Sequence, residues 1–283
     1  MDGPPRSPRL DRNARLLGLE AMGRLARSHV VVLGVGGVGS FAAEALARAG
    51  VGRLTLVDGE RVEETNANRQ LHAVDGEFGR FKAEVMAERL RRAIPGARVE
   101  AACEPYAAES APRLVGPGVS YVLDAMDTVV AKLHVIARCR ELAVPVVTVL
   151  GAARRVDPTA VQVSDLCESH TDQLAKDVRK YLRRRHGISA TEPLGVLAVW
   201  STEEPRPTIG LPGDERGIPG ARPSPGRRGP KCFGSVAFVT GAFGLAAAGA
   251  VVQRLAGVSP GGSRPLEAAE RSRRRKRRPL PRP

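Results

Sequence analysis

His29-Val30-Val31-Val32-Leu33 runs directly into Gly34-Val35-Gly36-Gly37-Val38-Gly39 and then into the Ala-rich stretch Ser40 to Ala49, SFAAEALARA. The apolar run Val30 to Leu33 suits a strand of a parallel sheet covered on both faces. Ten residues rich in strong helix formers follow. The glycines between them fall where a phosphate-binding turn belongs, after a strand and before a helix. Glycine there lets the backbone approach a ligand closely, while free N–H groups and the positive dipole of the helix start attract phosphate.

Working outward, Arg53 to Val57 (RLTLV) reads as a second strand, stopped by Asp58. Asp58 lies nineteen residues after Gly39, placed to accept hydrogen bonds from ribose hydroxyls. The polar stretch from there to Arg80 is long enough to be a loop with a function. Phe81 to Ala93 reads as helix, Val99 to Ala101 and Tyr121 to Leu123 as short strands, Ala131 to Leu142 as helix, and Val144 to Leu150 as strand. Alternating strands and helices predict an α/β fold, a Rossmann-like doubly wound and mostly parallel sheet. Beyond Gln162 the pattern weakens, with a basic helical segment at Asp172 to Arg185 and a strand-like Val196 to Trp200.

The flanks divide by composition. Residues 1–13 are rich in Pro and Arg and predict a flexible arm, and Leu16 to Leu25 a short amphipathic helix. A Rossmann-like domain with a C-terminal extension then spans 14–257, interrupted by a mobile Pro/Gly loop at 203–231, and 258–283 is a basic disordered tail. The net charge is +14, of which Arg271 to Arg282 supplies eight positive charges, so the remainder carries +6. A polyanion such as tRNA or an anionic membrane is a fitting partner for that charge, and a solvated tail accounts for the run equally well. With 4% aromatic residues, RNA binding would lean on charge rather than stacking.

Cys103, Cys139, Cys167 and Cys232 form no C-x-x-C pair, which disfavours structural zinc and a disulfide framework. The N-terminus carries no signal-peptide core, giving a cytoplasmic protein as the expectation. Phe233 to Gln253 has the length of a membrane span, but its Ala, Gly and Val content predicts a buried strand-turn-helix or a subunit-interface helix, and no integral span.

The glycines and Asp58 alone suit a nicotinamide or flavin enzyme as well as an ATP-using one. Asn66-Ala67-Asn68-Arg69-Gln70 and then Lys82 bring two cations and amide side chains to the same mouth, as a triphosphate requires. Asp124-Ala125-Met126-Asp127 follows a strand, so its carboxylates emerge at the strand's C-terminal edge; Asp127 is the better Mg²⁺ ligand and Asp124 a helper. Each residue has a plainer role open to it: Asn66 and Asn68 as turn caps, Arg69 as a surface cation, Asp124 as an N-cap. The set as a whole, Gly34, Gly36, Gly37, Gly39, Asp58, Asn66, Arg69, Lys82 and Asp127, gathers at one sheet edge.

In this ordered set the sequence resembles the superfamily of the adenylating enzymes of molybdopterin and thiamin synthesis and the ubiquitin activators, over Arg15 to about Asp165. The resemblance implies ATP and Mg²⁺ as cofactors, Arg69 and Lys82 on the phosphates, Asp58 on the ribose, Asp127 on the metal, and Gln70 and Asp124 beside the nucleotide. It implies a homodimer in which Arg15 serves the neighbouring subunit's site. The run Asn68 to Ala73, the stretch Lys82 to Leu90, Asp157-Pro158-Thr159, Ser201-Thr202-Glu203 and Gly234-Ser235-Val236 look like the threonylcarbamoyladenosine dehydratases, extending the match to about Leu255. That branch implies dehydration of N6-threonylcarbamoyladenosine in tRNA to its cyclic form through a carboxyl adenylate, and a cysteine-desulfurase or sulfur-acceptor protein as a possible partner. The alternative is adenylation of the C-terminus of a sulfur-carrier or ubiquitin-like protein. Val149 to Arg154 departs from the glycine-rich segment expected near the acceptor.

Overall fold

The computed structural model describes residues 8–258 except 190, 208 and 210–232. The expected basic tail, from 259 on, most of the Pro/Gly loop, and Met1 to Ser7 of the N-terminal arm lie outside the described residues.

After a single 3₁₀ turn the chain forms α1 (Asp11–Leu17) and α2 (Leu19–Arg27), broken at Gly18. The alternating series follows: β1 (His29–Leu33), α3 (Gly39–Ala49), β2 (Arg53–Val57), α4 (Lys82–Ala93), β3 (Arg98–Ala102), the short α5 (Ala111–Leu114), β4 (Tyr121–Asp124), α6 (Val129–Glu141) and β5 (Val146–Val149). The last third adds β6 (Val161–Asp165), α7 (Gln173–His186), β7 (Leu197–Ser201) and α8 (Ala237–Ala256). The seven strands lie in the order β3-β2-β1-β4-β5-β7-β6, all parallel except β6, which pairs antiparallel with β7. This is the expected mostly parallel, Rossmann-like sheet, and its order reverses between β1 and β4.

The apolar runs are buried as a two-sided sheet demands: Val30, Val31, Val32 and Leu33 of β1 are fully covered. One layer places Leu46, Met86, Leu90, Phe243 and Val251 over one face, and the other places Leu133, Ile136, Val178 and Leu182 over the opposite face.

Of the two forms expected for the stretch from Phe233, the strand-turn-helix is not the one found. From Ala237 it is one continuous helix, long and apolar enough by composition to cross a membrane. Gly241 and Gly244 serve packing, and none of its glycines breaks the helix. A β-carbon on Gly244 would overlap the Val38 carbonyl oxygen, and one on Gly241 would stand 3.3 Å from the Phe41 ring. Side-chain-free positions let α8 approach α3 closely along its length.

Candidate nucleotide site

The site forms at the reversal between β1 and β4, where the connections leave in opposite directions and open a crevice at the strands' C-terminal ends. Gly34 N–H donates to the Val57 carbonyl at 2.8 Å, and Ala125 N–H to the Leu33 carbonyl at 2.8 Å, so the ends of β1, β2 and β4 are tied together. Gly34 has φ +84°, and a β-carbon there would lie 2.8 Å from the Ala125 carbonyl oxygen. At the first position of α3, a β-carbon on Gly39 would overlap the Gly34 carbonyl oxygen. Both positions therefore require glycine. The turn's geometry and the start of α3 present backbone N–H groups to a phosphate.

Asp58 holds this turn. Its Oδ2 accepts from Val35 N–H at 2.7 Å and its Oδ1 from Glu60 N–H at 2.8 Å. Burial pushes its carboxyl above the usual range, opposed by those two hydrogen bonds and by Lys82. Each oxygen keeps a second lone pair for a ribose hydroxyl.

Arg69 and Gln70 close the crevice from the other side. The Arg69 methylenes lie over Gly37, where a β-carbon would stand 3.2 Å from Cγ. Its Nη1 donates to the Thr65 carbonyl and to Asn68 Oδ1, both at 2.9 Å, and among the described residues Nε and Nη2 donate to nothing. Gln70 sits beside Gly36, and its buried Oε1 has no partner among the described residues. A buried amide oxygen without a donor is costly, which marks a position completed by something else.

Four expected residues take other places. Asn66 is buried and engaged within its own loop: its Oδ1 accepts from Glu63 N–H, and its carbonyl accepts from Arg69 and Gln70 N–H, both at 3.0 Å. Its role is to shape the loop that carries Arg69. Lys82 is 5% exposed and ion-paired at 2.5 Å with Glu60, two residues after Asp58; it reaches a phosphate only by exchanging that partner. Asp124 is fully buried and unsuited to help a metal. Its Oδ2 accepts from Lys132 Nζ at 3.0 Å and Thr148 Oγ1 at 2.7 Å, and its Oδ1 from Met126 N–H at 3.1 Å. Arg15 is exposed and paired with Asp11, and α1 is anchored to the last turn of α3, the end away from the glycine turn, by Asn13 donating to the Arg48 carbonyl. In its own chain it does not reach the glycine turn.

Asp127 alone of the two carboxylates is exposed, its Oδ1 accepting from Thr128 Oγ1 at 3.2 Å. Among the described residues no three His, Cys, Asp or Glu side chains cluster as a metal site.

Several residues of the site region were not foreseen: Lys132, Thr148, Glu60, Thr240 and the pair Arg155–Asp172. Lys132 Nζ also donates to the Val149 carbonyl at 2.7 Å, so the ion pair locks β4, α6 and β5 together. Thr240 of α8 borders Gly37, and the Ser235 carbonyl accepts from Asn68 Nδ2 at 2.9 Å. Asp172 accepts from Gly151 N–H at 2.8 Å while Arg155 Nε donates to the Gly151 carbonyl at 2.9 Å, so both sides of this residue are fixed at the end of β5. The sequence signal for Lys132 was a lysine among Leu133, Val135 and Ile136, on a helix otherwise apolar there.

The crevice, the glycine turn and Arg69 are those of a nucleotide-binding, adenylate-forming fold, and the chain belongs to the ThiF family, whose model matches residues 10–281. Within that family it stands with the tRNA threonylcarbamoyladenosine dehydratases. It is 39% identical to the enzyme of that name from Escherichia coli, over 86% of this chain and 91% of the relative. It is 41% identical to that of Bacillus subtilis, over 86% and 93%. The crystal structure of the E. coli dehydratase, TcdA, in complex with ATP superposes with a TM-score of 0.76 at 37% identity, covering 93% of this chain and 96% of that one.

Proposed function

We propose that this chain uses ATP to activate the threonyl carboxylate of N6-threonylcarbamoyladenosine in tRNA and closes it into the cyclic, dehydrated nucleoside. The observation that carries the reading is the placement of Arg69 and Gln70 against Gly37 and Gly36, which puts a cation with free donors over a phosphate-binding turn. The near full-length similarity to dehydratases favours this acceptor over the C-terminus of a sulfur-carrier protein.

The glycine turn and the start of α3 hold the phosphates, and Asp58 accepts from the ribose. A carboxylate oxygen of the substrate attacks the α-phosphorus, the bond to the β-phosphate oxygen breaks, and pyrophosphate leaves. Arg69 donates to the charge that builds on the phosphate oxygens. Lys82 adds its charge after Glu60 gives way. A nucleophile of the same nucleoside then attacks the acyl carbon and AMP departs with the former carboxylate oxygen, so the substrate loses the elements of water. Proximity within one nucleoside makes this ring closure intramolecular. No protein nucleophile is needed, consistent with Cys139 lying buried with its thiol pushed up to about 12.

Mg²⁺, held by Asp127, would neutralise charge on the phosphates. Arg15, turned away from its own site, serves a partner's site in a homodimer. A cytoplasmic location would supply both the ATP and the tRNA this reaction uses.

The test is mass spectrometry of nucleosides from modified tRNA incubated with the protein, ATP and Mg²⁺. Loss of one water's mass with AMP release, absent in Arg69→Ala and Asp127→Ala, is the expected result. An unchanged nucleoside, with pyrophosphate exchange appearing only on adding a carrier protein, would replace this reading with the carrier one.

A further inference from the structure

The most basic described element is α7, and its charge is arranged on one side. Ala175, Val178 and Leu182 are fully buried in the layer shared with α6. The opposite side carries Gln173, Lys176, Lys180, Arg183 and Arg184, all exposed. None of these four cations forms an ion pair with a described residue. Their spacing of i, i+4, i+7 and i+8 makes a ridge about 12 Å long at 1.5 Å per residue.

Helix stability does not account for the ridge. Arg183 and Arg184 in the last turn suit the helix dipole, but Lys176, in the opening turns, opposes it. Arg179, by contrast, has a structural task, donating to the Ser169 carbonyl at 2.5 Å.

The ridge begins beside the site. Asp172 caps α7 by accepting from Ala175 N–H at 3.0 Å, and it also accepts from Gly151 N–H directly after β5, at the C-terminal edge of the sheet that holds the nucleotide crevice. α7 therefore leads away from the site mouth with its cations outward.

We infer that the outward face of α7, Lys176, Lys180, Arg183 and Arg184, binds the phosphate backbone of the RNA stem that carries the target nucleoside. This rests on the tRNA reading above. A stem entering the crevice must lie along a flank of the domain, and a row of unpaired cations starting at the crevice edge matches a row of phosphates. An anionic membrane fits less well, because a membrane-surface helix needs an exposed apolar side, and the apolar side of α7 is buried.

The experiment compares the wild-type protein with Lys176→Gln/Lys180→Gln/Arg183→Gln by fluorescence anisotropy of labelled tRNA over a salt series, alongside ATP binding, thermal melting and vesicles rich in phosphatidylglycerol. The triple variant should keep its melting temperature and ATP affinity, bind tRNA about tenfold more weakly, and lose about 2 from the slope of log Kd against log salt, at roughly 0.7–0.9 per lost phosphate contact. An unchanged tRNA Kd and slope would overturn the inference, as would binding to the vesicles through these residues in preference to tRNA. Should tRNA bind through α7 but its nucleoside stay unconverted, the surface stands and the dehydratase reading fails. Conversion with an unaltered KM for tRNA in the variant leaves that reading standing and removes the surface.

Discussion

Lys132 Nζ and Asp124 Oδ2 lie 3.0 Å apart with neither side chain exposed, and the same carboxylate accepts from the N–H of Met126, in the turn that leads to Asp127. The pair is a positioning element for that turn rather than part of the ligand shell. Lys132→Met leaves the Asp124 carboxylate buried without its cation, an arrangement that typically costs about 3–5 kcal/mol. Urea denaturation should show that loss, and Asp124→Asn/Lys132→Met should recover part of it by removing both charges.

Arg69 is half-buried and its aliphatic chain covers Gly37. Arg69→Lys keeps a positive charge but loses the forked donors, so AMP release should fall by about 10²-fold while the melting temperature stays within a degree or two of wild type. A rate near wild type would remove Arg69 from the phosphates.

His72 is 2% exposed, its two ring nitrogens have no partner among the described residues, and burial, helped by Lys82 and Arg89, lowers its pKa to about 4. The folded protein therefore keeps a neutral imidazole at a pH where the unfolded chain, with an ordinary value near 6.5, has bound a proton. Stability is present above about pH 6.5 and falls as the pH drops toward 4, by about 3 kcal/mol in full. His72→Gln should flatten that part of the pH dependence of the urea midpoint; an equal slope in both proteins would assign the acid sensitivity elsewhere.

Gly244→Ala places a methyl group against the Val38 carbonyl oxygen, within the glycine turn's own backbone. The overlap should cost about 1–3 kcal/mol and weaken ATP binding as well, since the turn must shift to relieve it. Calorimetric titration with ATP separates this from Gly249→Ala, where a β-carbon meets nothing within 4 Å and binding should be unchanged.

Much of this architecture is legible in the residues themselves. β1 carries an apolar run and β2 alternating Leu and polar residues, each with an abrupt glycine or polar stop, so their limits coincide with the sequence pattern. The glycine turn and Asp58 are local in character, and the structure places them where strand and helix demand. What sequence does not reveal is pairing across distance. Asp124 and Asp127 are three residues apart and chemically identical; only Lys132, reaching back from α6, makes one a buried anchor and leaves the other exposed. Lys82 looks like a free cation until Glu60 is brought beside it. The glycines of α8 read as helix breakers, because the helix they pack against lies some two hundred residues earlier in the chain.

That last contact also orders events in time. A ribosome has made the glycine turn by residue 39, but the wall formed by Thr240 and Gly244 arrives only once α8 has emerged. A chain truncated before α8 would carry the whole phosphate motif and lack the support that fixes it. Ordering of the nucleotide turn thus waits on a helix made some two hundred residues after it.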